Sequence, residues 1–178
     1  MISLPFAFWM FVVIFAVIGG MRGWAKELLV SFSVILSLTF ITLLQNYIPV
    51  VRDTMPKESI TLFWIRTASL LVIVFFGYQT PNIPKLAGRF TRERLQDSLL
   101  GIFIGAINGY LVAGSLWFFM VQALYPFMMI TDPAKSGVPQ IVDTAKTIIA
   151  YLPPQLLGVP AIYFAVVLSF VFVLVVFI

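Results

Sequence analysis

SLLGIFIGAINGYLVAGSLWFFMVQALY, residues 98–125, runs its whole length without one charged side chain. A helix needs about 20 predominantly apolar residues to cross the hydrocarbon core of a bilayer. Four more runs of the same kind surround it: Ser3 to Gly20, Ala25 to Leu44, Ile60 to Tyr78 and Ile162 to Ile178. They are apolar all round. A membrane barrel would instead show segments of about ten residues with alternating polarity. The expectation is an all-α integral membrane bundle of five transmembrane helices.

Composition agrees. The 178 residues are 61% hydrophobic and 10% charged, with a mean hydropathy of +1.06; a soluble domain carries about 25% charge. The expected organisation is a membrane domain over 1–152 with an additional C-terminal transmembrane helix over 153–178. His and Cys are both absent. No thiolate or imidazole centre, zinc or haem ligand set, or Ser-His-Asp triad can therefore be built. No cofactor, metal or catalytic residue is expected, and the reading is non-enzymatic. The net charge of +4 comes from basic residues beside the spans, where Lys and Arg set topology and meet anionic headgroups. Nucleic acid is not an expected partner; membrane lipids are. Met1-Ile2-Ser3-Leu4-Pro5 has no positive charge ahead of the first run, which favours a retained helix over a signal peptide.

Gly19-Gly20-Met21-Arg22-Gly23 breaks the first run from the second, so the two are expected to form a tight antiparallel hairpin. Asn46-Tyr47-Ile48-Pro49 closes the second, and Val51 to Ser59 reads as a polar loop. Pro81 and Pro84 end the third. Lys85 to Gln96 is the most charged stretch and reads as a short interfacial helix. Pro139 to Leu152 has Ile141, Ala145, Ile148, Ile149 and Leu152 on one helical face, and Gln140, Asp143, Thr144 and Thr147 on the other. It is too short and polar to span, and reads as an amphipathic helix in the membrane plane. Arg22, Lys26, Lys85, Arg89, Arg92 and Arg94 fall on one side of the membrane. Arg52, Lys57, Lys135 and Lys146 fall on the other. The excess puts the 21–27 and 79–97 loops in the cytoplasm. Trp9, Trp24, Trp64 and Trp117 lie mostly near span ends, as in an interfacial belt.

Three constellations stand out. Arg22, Gly23, Lys26 and Glu27 lie at the mouth of the first hairpin. Their roles are topology and helix capping, or a charged gate or partner contact. Glu27 has Arg22 or Arg94 as a candidate partner. Second, Gly101, Gly105, Gly109 and Ala113 repeat every four residues and make a smooth ridge for close helix approach, within the chain or between chains. Asp97 or Ser98 is placed to cap that helix. Asn108, one step off the ridge, needs a hydrogen-bond partner in lipid. Third, Arg66 lies about two turns, roughly 9 Å, inside its span. It can snorkel to headgroups, pair with Asp53, Glu58, Asp132 or Asp143, or line a polar path. None of the acidic residues sits deep in a span, which counts against a proton- or sodium-coupled transporter.

In this order the motifs resemble the CvpA family, the colicin V production proteins. Arg22-Gly23 with Lys26-Glu27 is similar to the family's pattern after its first span. Asp97-x-x-x-Gly101-x-x-x-Gly105-x-x-x-Gly109 is similar to its most recognisable signature. Ser136 to Leu152 resembles its proline-led amphipathic segment. The resemblance covers residues 3–152. The run from Ile162 is additional to the family's usual spans, and an acidic residue often found ahead of the first span is absent. The resemblance implies a small multi-pass protein of the bacterial inner membrane, associated with envelope homeostasis and with toxin or secreted-product export. It marks Arg22, Gly23, Glu27, Asp97, Gly101, Gly105 and Gly109 as the family positions.

Three function classes follow. The first is a non-enzymatic CvpA-like protein acting through helix packing, as a homo-oligomer or with other membrane-protein subunits. The second is a structural accessory subunit of a large bioenergetic or photosynthetic complex. The third is a small channel or transporter with a polar path near Arg66 and Asn108.

Overall fold

The computed structural model describes residues 3–79, 94–127, 130, 132–135 and 137–177. Among these residues every regular element is helical. Helix α1 covers Leu4–Arg22, α2 Trp24–Tyr47, α3 Pro49–Thr54, α4 Ile60–Tyr78 and α5 Arg94–Gln122. A 3₁₀ turn at Pro133–Lys135 precedes α6 (Pro139–Ala150), α7 (Pro153–Leu156) and α8 (Ala161–Phe177). Four of them, α1, α2, α4 and α5, are long and apolar enough to cross a membrane. Helix α8 is 17 residues long, about 26 Å at 1.5 Å per residue, against a hydrocarbon core of about 30 Å.

Local chemistry sets the breaks. Gly23, at φ +86°, is the single residue between α1 and α2, in a conformation that glycine adopts without steric penalty. Prolines stand in the first turns of α1, α3, α6 and α7, where their missing N–H costs nothing. Pro49 therefore starts a short helix in what reads from sequence as polar loop. The expected helix over Lys85–Gln96 lies outside the described residues except at 94–96, which open α5.

The expected tight hairpin does not form. Helix α1 meets α2 chiefly at the turn and lies instead along α5, antiparallel to it. Helix α2 takes the centre. Its Val30, Val34, Leu38 and Ile41 bury against Phe63, Leu70 and Val74 of α4, Val112 and Phe119 of α5, and Ile162 of α8. The segment after residue 152 thus shares the main core. A second cluster joins Phe8 of α1, Ala113 and Trp117 of α5, Ala145 of α6 and Leu152. Trp117 is a core residue, not part of a belt, whereas Trp9 and Trp64 are more than half exposed. Lipid tails are as apolar as leucine, so such contacts hold by close packing and hydrogen bonds more than by burial.

Helix α6 covers the end of the bundle where α1 begins. Ala145 is buried and Ile148 and Ile149 pack on the second cluster, while Gln140, Asp143, Thr144 and Thr147 are exposed. The two faces are those the sequence pattern gives.

Candidate functional site

The first cluster lies where α1 ends and α2 and α5 begin. Glu27, in the first turn of α2 and so near the end of its span, is fully buried. Its Oε1 takes a hydrogen bond from Arg22 Nη1 at 2.6 Å. Its Oε2 takes one from Asn108 Nδ2 at 2.8 Å. The same amide donates to the Glu27 main-chain carbonyl at 2.9 Å, and Asn108 Oδ1 accepts from Ser31 Oγ at 2.6 Å. Arg22 also donates to the Tyr78 carbonyl at 3.0 Å and stands 4.3 Å from the centre of the Tyr78 ring, within cation–π range. The carboxylate ties α2 to α1 and α5, and Arg22 extends the link to α4. Arg22 ends α1 and Lys26 belongs to α2, so these two do not share a helical face; the break at Gly23 divides them.

Two residues of α5 clamp the Gly23 turn. Asp97 Oδ1 accepts from the Trp24 N–H at 3.2 Å, and Ser98 Oγ donates to the Gly20 carbonyl at 2.9 Å. A side-chain acceptor at a helix start satisfies a free N–H and favours the positive end of the dipole. The capped start is that of α2, however, and not that of the helix carrying Asp97, which starts earlier, at Arg94. Ser98 serves the end of α1. A Cβ on Gly23 would lie 2.6 Å from Asp97 Oδ2, so the turn and the carboxylate fit only with glycine.

The glycine ridge lies against α1. Gly101 faces Gly19, Gly105 faces Phe15 and Gly19, and Gly109 faces Val12 and Phe15. A Cβ on Gly105 would come within 2.9 Å of Gly19 Cα, and one on Gly109 within 2.8 Å of Val12 Cα. These are backbone atoms of a helix and cannot swing aside. Ala113, next along the ridge, sits in the Phe8–Trp117 cluster.

Arg66 lies at the opposite end of the bundle and joins none of this. It is 1% exposed. Its Nη2 donates to Gln45 Oε1 at 2.9 Å and its Nη1 to the Lys57 carbonyl at 3.4 Å. Neither contact is to a carboxylate, and Asp53, one expected partner, binds Arg52 at 2.7 Å. At 1% exposure Arg66 also does not reach out as a snorkelling side chain does.

Sequence reading missed Ser31, Tyr78 and Gln45. Ser31 follows Glu27 by one helical turn, a spacing that marks a shared face. Gln45 stood at a span end with no sign of its partner. Among the described residues no set of three or more His, Cys, Asp or Glu side chains gathers to hold a metal. No family model matches the chain, and comparison with curated proteins and with solved structures likewise gives no match.

Proposed function

We propose that this chain is a non-enzymatic, CvpA-like protein of the bacterial inner membrane, serving envelope maintenance or the export of a secreted product through helix packing. One observation carries the reading. Two of the three stretches that bear the resemblance, 22–27 and 97–109, are distant in sequence and meet at Asp97, which accepts from the Trp24 main-chain N–H, and at Asn108, whose side-chain amide donates to the Glu27 carboxylate. A motif pair joined by a buried polar lock is one working part, as a family signature should be.

In this reading α8 is a fifth, slightly short span and α6 rests in the interface with its polar face to water. The Arg22–Glu27 end faces the cytoplasm. The glycine ridge is already occupied by α1, so assembly with a second copy or another membrane protein uses a different face. Phe164, Val167 and Leu168 on α8 are strongly exposed. That free face favours the second reading, an accessory subunit docked on a larger complex through α8.

Extraction in native-like lipid, followed by affinity capture and mass spectrometry, separates the two. A stand-alone protein runs as a monomer or small homo-oligomer; a subunit brings larger partners at fixed stoichiometry. Deletion of the chain should sensitise the envelope or reduce export, with rescue by the wild type and not by Glu27→Ala. Turnover of a substrate by the purified polypeptide would overturn the non-enzymatic reading.

A further inference from the structure

Arg66 is a buried cation with an unfinished set of partners. A guanidinium carries five N–H donors. One contact, to Gln45, has good geometry. The second, at 3.4 Å, is longer than ordinary N–H···O bonds. Nε, also buried, has no partner among the described residues. Withdrawing a charge from water costs several kcal/mol unless an opposite charge repays it, and both partners among the described residues, a side-chain amide and a main-chain carbonyl, are neutral.

The side chain lines a pocket of about 210 Å³ together with Thr42, Gln45, Asn46 and Gln122. The segment between α7 and α8 forms another wall, and Asn46, Gly158 and Val159 at the rim are exposed. Water takes about 30 Å³ per molecule in the liquid, so there is space for a tetrahedral group and its hydration. Arg66 follows the start of α4 by about 9 Å along the axis, near the end of the bundle rather than its middle.

We propose that this pocket binds one oxyanion, a phosphate group, through charge-assisted bonds from Arg66 backed by the amides of Asn46 and Gln122. Planar guanidinium forks match the spacing of phosphate oxygens. The phosphate belongs to a phospholipid headgroup or to free inorganic phosphate, and the two sources give different results.

The test uses the full chain purified in dodecyl maltoside, which contains no phosphate. Native mass spectrometry reads retained phospholipid, and thermal unfolding of delipidated protein is followed against added inorganic phosphate. A headgroup site retains one phospholipid per chain in the wild type and loses it in Arg66→Gln. A free-anion site retains no lipid but shows a saturable rise in Tm with phosphate that Arg66→Gln abolishes. Gln122→Leu, on the pocket wall, weakens either signal about tenfold and serves where Arg66→Gln does not fold. Lys146→Gln, on the exposed face of α6, leaves both unchanged. The proposal fails if wild-type protein neither retains phospholipid nor responds to phosphate, or if Arg66→Gln and Gln122→Leu bind as the wild type does.

Discussion

Glu27 and Arg66 are both buried charges in one bundle, and their surroundings differ completely. Glu27 receives a cation, a side-chain amide and a clamped helix turn, with bonds reaching α1 and α5. Arg66 receives one glutamine and a distant carbonyl, beside an open pocket. A charge answered on all sides fixes the helices around it. A charge answered in part leaves free energy of interaction for something that is not in the chain. The difference divides the molecule into an end that specifies the fold and an end able to recognise a ligand.

The comparison breaks first, and hardest, at the glycine ridge. Gly105→Leu would drive a side chain into the backbone of α1 at Phe15 and Gly19. Overpacking commonly costs about 1–3 kcal/mol when side chains can move; here the neighbours are main-chain atoms, and the loss should exceed that range. Little folded protein should be recovered, read by size-exclusion profile and by thermal unfolding. A wild-type profile would mean that α1 is free to leave α5. Glu27→Ala comes next. It strips Arg22 and Asn108 of their shared acceptor and leaves a half-buried cation, for which about 3–5 kcal/mol is the usual loss. A large fall in Tm is expected.

Much of the locking end is legible in the sequence, because its parts are rare residue types at helical spacing. Glycine at every fourth position of α5 announces a close approach, and an asparagine in an apolar run announces a partner. Which helix comes close does not follow. Sequence adjacency favours α2 as the neighbour of α1, yet the glycine ridge on α5 lets the α1 backbone come close, and α1 packs there. Asp97 illustrates the same limit. Its type marks a cap, but the helix it caps lies 73 residues away. The Arg66 end is less legible still. Its charge is plain, while the pocket arises from Gln45, Gln122 and the α7–α8 segment, which share no pattern in the chain. The four long helices are read from hydropathy alone; α3 is hidden because its first turn depends on one proline in a polar stretch.

Asn108→Leu sharpens the comparison at smaller cost. The ion pair of Arg22 and Glu27 survives, while Glu27 Oε2 and Ser31 each lose the partner at Asn108. A buried polar group left without its bond costs about 1–3 kcal/mol, so the Tm should fall by less than in Glu27→Ala. The double variant Glu27→Ala with Asn108→Leu should cost less than the sum of the singles, since both act through one network. Strict additivity would show that the amide and the carboxylate do not cooperate.

The smallest effect is expected at the other buried charge. Arg66→Met keeps a flexible stem as far as the position of Nε and removes a cation whose partners among the described residues are neutral. No carboxylate is stranded by the change; Gln45 lines a pocket that admits water, which can replace the lost donor. Replacing a buried charge that no opposite charge repays with an apolar side chain removes its desolvation cost. In delipidated protein without added phosphate, Tm should hold or rise. With phospholipid or phosphate present, the wild type should gain stability and Arg66→Met should not, because only the wild type has binding free energy to add. A loss as large as that of Glu27→Ala in the anion-free state would mean that Arg66 is as fully answered within the chain as Glu27. The two ends would then differ in residues but not in kind.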